Sequence, residues 1–187
     1  MTLGVILLNF GEPSEATLGA VVPFLERIFL TNASLEGAAS PEAVRARCHE
    51  LAQRRAPGLI AEYQAIGGSP LNAQSEAQAE ALAGELERRG HAARVYVANQ
   101  FADPLIPEVL RRARADGVQQ LVGLPVYPVC GPSTNVAALA QLRDALGEIA
   151  WDVPLVEVSG WHRHPAYVAM RAAGIRKTAG EQELDLG

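Results

Sequence analysis

A parallel β-sheet with helices on both faces is the α/β fold that this sequence predicts, and three observations predict it. Short apolar runs at residues 4–9, 94–98, 121–126 and 155–158 alternate with longer stretches of helical periodicity. The first run, Gly4-Val5-Ile6-Leu7-Leu8-Asn9, is apolar almost throughout, as suits a strand buried on both faces. Turn-forming residues follow the runs: Phe10-Gly11-Glu12-Pro13, Tyr127-Pro128 and Ser159-Gly160. Strands separated by helices at this pitch return parallel to one another.

The elements follow in order. After the strand at 4–9, Leu18, Val21, Val22, Leu25, Ile28 and Phe29 recur at helical spacing, and a second amphipathic stretch runs from about Pro41 to Arg54. Residues 75–89 form a helix with Ala79, Leu82 and Leu86 on one face, stopped by Gly90. The strand at 94–98 leads to a helix at 105–115, ended by Asp116-Gly117, and the strand at 121–126 to a helix at 135–146. The strand at 155–158 precedes Trp161-His162-Arg163-His164-Pro165, which opens the last helix. From Gly174 to Gly187 apolar periodicity fades, so this end is expected to fray. Ligands of such sheets bind beyond the carboxyl ends of the strands, which here carry Phe10-Gly11, Asn99-Gln100-Phe101, residues 125–134 and Ser159-Gly160-Trp161.

With 187 residues, 49% of them hydrophobic and 20% charged, the chain is large enough for one core. A net charge of -5 argues against nucleic acid as a partner, since phosphate binding is driven by clustered Lys and Arg. Arg45, Arg47, Arg54 and Arg55 do cluster, leaving room for a local anion site. Cys48 and Cys130 are too few for a disulfide framework or a Cys-rich zinc site, which suits a reducing, cytoplasmic setting. The short apolar start lacks a basic leader and a small-residue cleavage site, so neither a signal peptide nor a membrane span is expected, and at most peripheral membrane contact.

The stretch richest in chemistry joins Arg54-Arg55-Ala56-Pro57, Tyr63 and Ile66-Gly67-Gly68-Ser69-Pro70-Leu71. A cationic pair, a phenol and a glycine-loosened turn are parts of a site for a large flat anion. Each also has a plainer explanation. Arginines at a helix C-terminus suit its dipole and are usually solvated, Tyr63 suits a core edge, and Ser69 suits the closing of its turn. His162 and His164 are too few ligands for a metal, His49 and His91 read as surface residues, and Cys130 reads as a small buried residue. Glu12 could be taken for a general base, but a lone carboxylate at a helix start is what the dipole favours.

Leu7-Leu8-Asn9-Phe10-Gly11-Glu12-Pro13, Phe24-Leu25-Glu26-Arg27-Ile28-Phe29, the block from Arg54 to Leu71, Asp116-Gly117-Val118 and Leu124-Pro125-Val126-Tyr127-Pro128 followed by Ser133-Thr134 occur in an order and spacing that resembles the amino-terminal half of a ferrochelatase, the enzyme that inserts ferrous iron into a porphyrin in haem synthesis. The resemblance implies a chelatase-like lobe over residues 1–170, the first of two similar lobes, with a divergent tail at 171–187. It implies porphyrin-binding roles for Phe10, against the macrocycle, Ile28 at the pocket lip, Arg55, Tyr63 and Ser69, and Ser133 on the pocket wall. Porphyrin and ferrous iron would be substrates, with no permanently bound cofactor.

Departures from the family pattern carry expectations too. The glycine loop is one residue shorter before Ser69, and Gln100 stands where a basic residue is usual, which would remove one propionate partner. Pro132 occupies the place of a cluster cysteine in some members, and Cys130 sits two residues earlier, so no iron-sulfur cluster is expected. The family's S-A-H-x-L-P segment, with its metal-handling histidine, and the later glutamate do not occur in this sequence. No catalytic or metal-binding residue is therefore assigned within the chain, and a second lobe or a homodimer would be its partner. Two other classes stay open: a non-catalytic tetrapyrrole-binding module, and a small homodimeric chelatase of the sirohydrochlorin type, although Asn9-Phe10 supplies none of the histidines such a site needs.

Overall fold

The computed structural model describes residues 2–33 and 40–181. Strands β1 (Leu3–Asn9), β2 (Ala93–Asn99), β3 (Gln120–Pro125) and β4 (Leu155–Glu157) form a sheet in the order β2-β1-β3-β4. Every pairing is parallel, with Asn9 opposite Asn99 and Leu8 opposite Pro125 at the carboxyl edge. Helices α1 (Leu18–Asn32), α2 (Pro41–Ala65) and α3 (Leu71–Arg88) lie between β1 and β2, α4 (Ile106–Ala115) between β2 and β3, α5 (Ala137–Glu148) between β3 and β4, and α6 (Pro165–Glu181) follows.

The strand period of two sorts the apolar side chains onto two faces. Ile6, Leu8, Tyr96, Ala98 and Leu121 join Val109, Leu110, Leu139 and Leu142 of α4 and α5 in one core. Leu7 and Val97 point the other way, to Ala79 and Leu82 of α3. Both faces are thus covered, which is why β1 is buried along nearly its whole length. A third apolar cluster binds Val21, Phe24 and Leu25 of α1 to Ala52 and Ala56 of α2, with Phe101 and Ala102 from the end of β2.

That third cluster explains the largest local departure from expectation. The amphipathic stretch was expected to end at about Arg54, ahead of Pro57, whose missing N–H and bulky ring disfavour a helix interior. Helix α2 runs on to Ala65 instead. Ala52 and Ala56 are fully buried against α1, with Leu59 and Ile60 beside them, and this packing holds the helix through the proline. Arg54 and Arg55 are therefore in mid-helix, away from any C-terminal dipole. Helix α3 likewise starts at Leu71 rather than Ser75, and α6 continues through Gly174 to Glu181, helical across the part of the segment expected to fray that lies within the described residues. No described helix is long and apolar enough to cross a membrane.

Candidate functional site

At the carboxyl edge of the sheet, the loop leaving β1 turns sharply at Gly11. Its φ of 79° lies in the left-handed region, and a Cβ there would stand 2.7 Å from Cβ of Asn99, so only glycine fits. Phe10, half-buried, projects from this loop onto Phe101, with ring centroids 4.7 Å apart, and onto Phe24, 6.0 Å away and edge-on. Ile28 packs in the same cluster. The structure thus brings Phe10 and Ile28 into one apolar patch.

Buried polar groups tie this loop down. Asn9 donates from Nδ2 to Ser75 Oγ and accepts at Oδ1 from the Phe10 amide (2.8 Å), while Ser75 Oγ donates to the Leu71 carbonyl (2.8 Å). Glu12 is only 5% exposed. Its Oε1 accepts from the Asn72 amide at 3.0 Å, and its carbonyl accepts from Asn72 Nδ2 at 3.2 Å. These bonds reach the first turn of α3, whose N-cap position is Pro70 and has no capping side chain. The orphan amides of that turn are met instead by Ser69 Oγ, which accepts from Leu71 at 3.3 Å, and by Glu12. Glu12 does answer a helix dipole, but that of α3 rather than of the α1 that follows it in sequence.

Tyr63, half-buried near the end of α2, has its phenol raised above 10 by burial and by the negative charge of Glu12. Between Tyr63 and Ser69, Gly67 and Gly68 take positive φ values of 74° and 92° in open surroundings. Tyr63 therefore lies within electrostatic reach of Glu12, and the Ser69 hydroxyl and the Glu12 carboxylate accept from adjacent amides of the first turn of α3. Arg55 is exposed on α2 and pairs with Glu62, Nη2 to Oε1 at 3.3 Å. Ser133 lies elsewhere, exposed on a wide turn at Pro132–Val136 after β3. There Asn135, fully buried, accepts from the Gly131 amide (3.0 Å) and donates to the Tyr127 carbonyl (3.3 Å).

Other side chains at this edge fall into place around these. Gln100 is 7% exposed, its Oε1 accepting from the Tyr127 hydroxyl at 2.8 Å, and burial raises the Tyr127 phenol. Trp161 donates from Nε1 to the Pro125 carbonyl (3.0 Å) and meets Tyr167 edge-on at 5.1 Å, fastening the start of α6 to β3. His164 Nδ1 accepts from the Ala166 amide (3.3 Å) and so caps α6. His49 is exposed, as expected, and is bound between Glu26 and Gln53. Cys130, read from sequence as buried, is exposed in the loop between Pro128 and Gly131. Among the described residues no group of three or more His, Cys, Asp or Glu side chains is set to hold a metal ion.

Two clefts flank the patch. One, of about 470 Å³, is lined by Glu12, Thr17, Phe24, Arg27 and Asp103; the other, of about 390 Å³, by Leu30, Gln100, Ile106, Asp144 and Glu148. None of the six residues assigned from sequence lines either cleft. Sequence reasoning missed the knot formed by Asn9, Glu12, Asn72 and Ser75. Its one legible signal was Ser75, a polar residue four positions before Ala79 on the buried face of α3.

The ferrochelatase family profile matches residues 2–185, a span that includes most of the tail read as divergent. A ferrochelatase of Desulfotalea psychrophila is 36% identical over 176 residues, covering 93% of this chain and 53% of the relative. One from Synechococcus sp. (strain JA-3-3Ab) is 36% identical over 178 residues, 93% of this chain and 51% of the relative. Ferrochelatase-2, chloroplastic, of Cucumis sativus is 30% identical over 199 residues, 97% of this chain and 37% of the relative. The chain spans about half the length of the bacterial relatives it matches.

Proposed function

This chain belongs to the ferrochelatase family, and from that premise we propose that it supplies the porphyrin-binding half of a ferrochelatase that inserts ferrous iron into protoporphyrin or coproporphyrin. The observation that supports the reading is the apolar cluster of Phe10 and Ile28 at the carboxyl edge of the sheet, with Ser69 and Glu12 accepting from adjacent amides of α3 and Tyr63 within reach of the Glu12 charge. In this reading the Phe10 ring lies against the flat macrocycle, backed by Phe101 and Phe24. Arg55, Tyr63 and Ser69 answer its carboxylate side chains, and Ser133 adds to the far wall. Arg55 exchanges Glu62 for a propionate at little cost, because an exposed ion pair contributes only about 0–1 kcal/mol.

Metallation releases two pyrrole protons as the metal enters, so it needs proton acceptors facing the ring centre. We assign those acceptors, a histidine and a glutamate, to a second lobe, and assign none to this chain. Porphyrin and ferrous iron are substrates here, with no resident cofactor and no iron-sulfur cluster. The setting we propose is a reducing cytoplasm, with at most peripheral membrane contact and no nucleic-acid partner.

The test is an anaerobic titration of the chain with coproporphyrin III, followed by ferrous iron, watching the porphyrin absorbance bands. Binding that weakens on Arg55→Ala or Tyr63→Phe, without metallation, is the expected result. Metallation by this chain alone would place the proton acceptors inside it. Binding indifferent to Arg55 and Tyr63 would overturn the site assignment.

A further inference from the structure

We propose that Glu12 is the positioning residue of the porphyrin wall, holding the segment from Tyr63 to Ser69 in a fixed relation to Phe10. This rests on the porphyrin reading and adds a residue to which that reading gives no role.

Four observations carry it. Glu12 stands two residues after Phe10 and is bonded across the fold to Asn72, its side-chain Oε1 accepting from the Asn72 amide at 3.0 Å and its backbone carbonyl from Asn72 Nδ2 at 3.2 Å. Those bonds enter the first turn of α3 three residues after Ser69, where Pro70 offers no cap of its own. The connection they restrain contains Gly67 and Gly68, both exposed and with nothing within 4 Å of where a Cβ would stand, so the loop has no side-chain packing to fix it. Tyr63, on the other side of those glycines, feels the Glu12 charge. Glu12 thus links a rigid, aromatic part of the wall to a loosely packed polar part.

The remaining carboxylate oxygen argues for a role beyond fold stability. Glu12 Oε2 is buried with no hydrogen-bond partner among the described residues, an arrangement unfavourable for folding. A long, charged side chain sunk between two loops suits the task of fixing their separation.

Three variants of the 187-residue chain separate position from charge, with coproporphyrin III as the probe. Glu12→Ala removes both. Glu12→Asp keeps the charge but draws the carboxylate back by one methylene, out of reach of the Asn72 amide. Glu12→Gln keeps an oxygen in place for that amide and removes the charge. Porphyrin affinity is read by fluorescence quenching, and the Tyr63 ring by carbon-13 NMR as pH rises through the ordinary tyrosine range near 10.

The expected pattern is a loss of affinity of about tenfold in Glu12→Ala and Glu12→Asp, and of no more than about threefold in Glu12→Gln. The Tyr63 midpoint falls in Glu12→Gln and Glu12→Ala, and falls least in Glu12→Asp. Should Glu12→Ala fail to fold, the Asp and Gln pair still decides the matter. Equal losses in Asp and Gln, or losses under about threefold in Asp, would overturn the positioning role while wild-type binding keeps the porphyrin reading intact. A wild-type chain that leaves coproporphyrin III unquenched would instead overturn the porphyrin reading itself, and the positioning role with it.

Discussion

The loop that leaves β1 is bonded to distant parts of the chain, whereas the loop that leaves its neighbour β3 is, from Val129 to Val136, bonded largely to itself. Asn9 and Glu12 reach Ser75 and Asn72, more than sixty residues away in sequence in one case and sixty in the other. The turn after β3 closes through Gly131, Thr134 and Asn135, with one bond back to Tyr127. Both loops leave the same edge of the sheet. In the porphyrin site proposed above, the difference separates a wall bonded to distant parts of the fold from one shaped largely by local bonds.

The contrast can be broken most forcefully at Gly11. Gly11→Ala puts a side chain into left-handed backbone and within 2.7 Å of Asn99 Cβ, and should cost about 3 kcal/mol in urea unfolding. A change under about 1 kcal/mol would mean that the β1 loop is less constrained than its bonds indicate. Next comes Asn9→Ala, which leaves Ser75 without one buried partner and frees the Phe10 amide. A loss of about 1–3 kcal/mol is expected, measured in the same way.

Alkaline titration samples both walls together. The Tyr63 phenol is raised by burial and then by Glu12, the Tyr127 phenol by burial, and Tyr96 is pushed up to about 12 by burial and then by its bond to Asp116. A raised phenol binds its proton more tightly in the folded state, so its stabilisation is complete below the unfolded value near 10 and is lost as pH climbs through the folded value. Stability should therefore fall progressively above about pH 10, and a Tyr127→Phe variant should soften that fall. A flat profile through this range would contradict the burial of these rings. The smallest effect belongs to Ser133→Ala, expected within about 0.5 kcal/mol of wild type in stability, since the hydroxyl is exposed.

Sequence legibility followed the range of the forces involved. The strands and their parallel order could be read because burial on two faces leaves an apolar run and each strand ends in turn residues. The extent of α2 could not, because Pro57 is a strong local signal and the packing of Ala52 and Ala56 against α1 that overrides it is tertiary. At the site, Phe10, Tyr63 and Ser69 stood out through the family resemblance. Glu12 did not, because the helix it caps begins some sixty residues later, and a carboxylate after the first strand looks like a cap for the next helix. Cys130 was misread for a related reason: residue type suggests burial, while exposure is decided by the course of its loop.

The measurement that bears most directly on the two walls is an amide chemical-shift map of the nitrogen-15-labelled chain titrated with coproporphyrin III. The largest changes should fall at Phe10, Gly11, Tyr63 and residues 67–72, with weaker ones near Ser133 and none along α6. Changes centred instead on the cleft formed by Arg27, Gln100, Ile106 and Asp144, with the Glu12 knot silent, would contradict the assignment of the porphyrin to the pre-built wall.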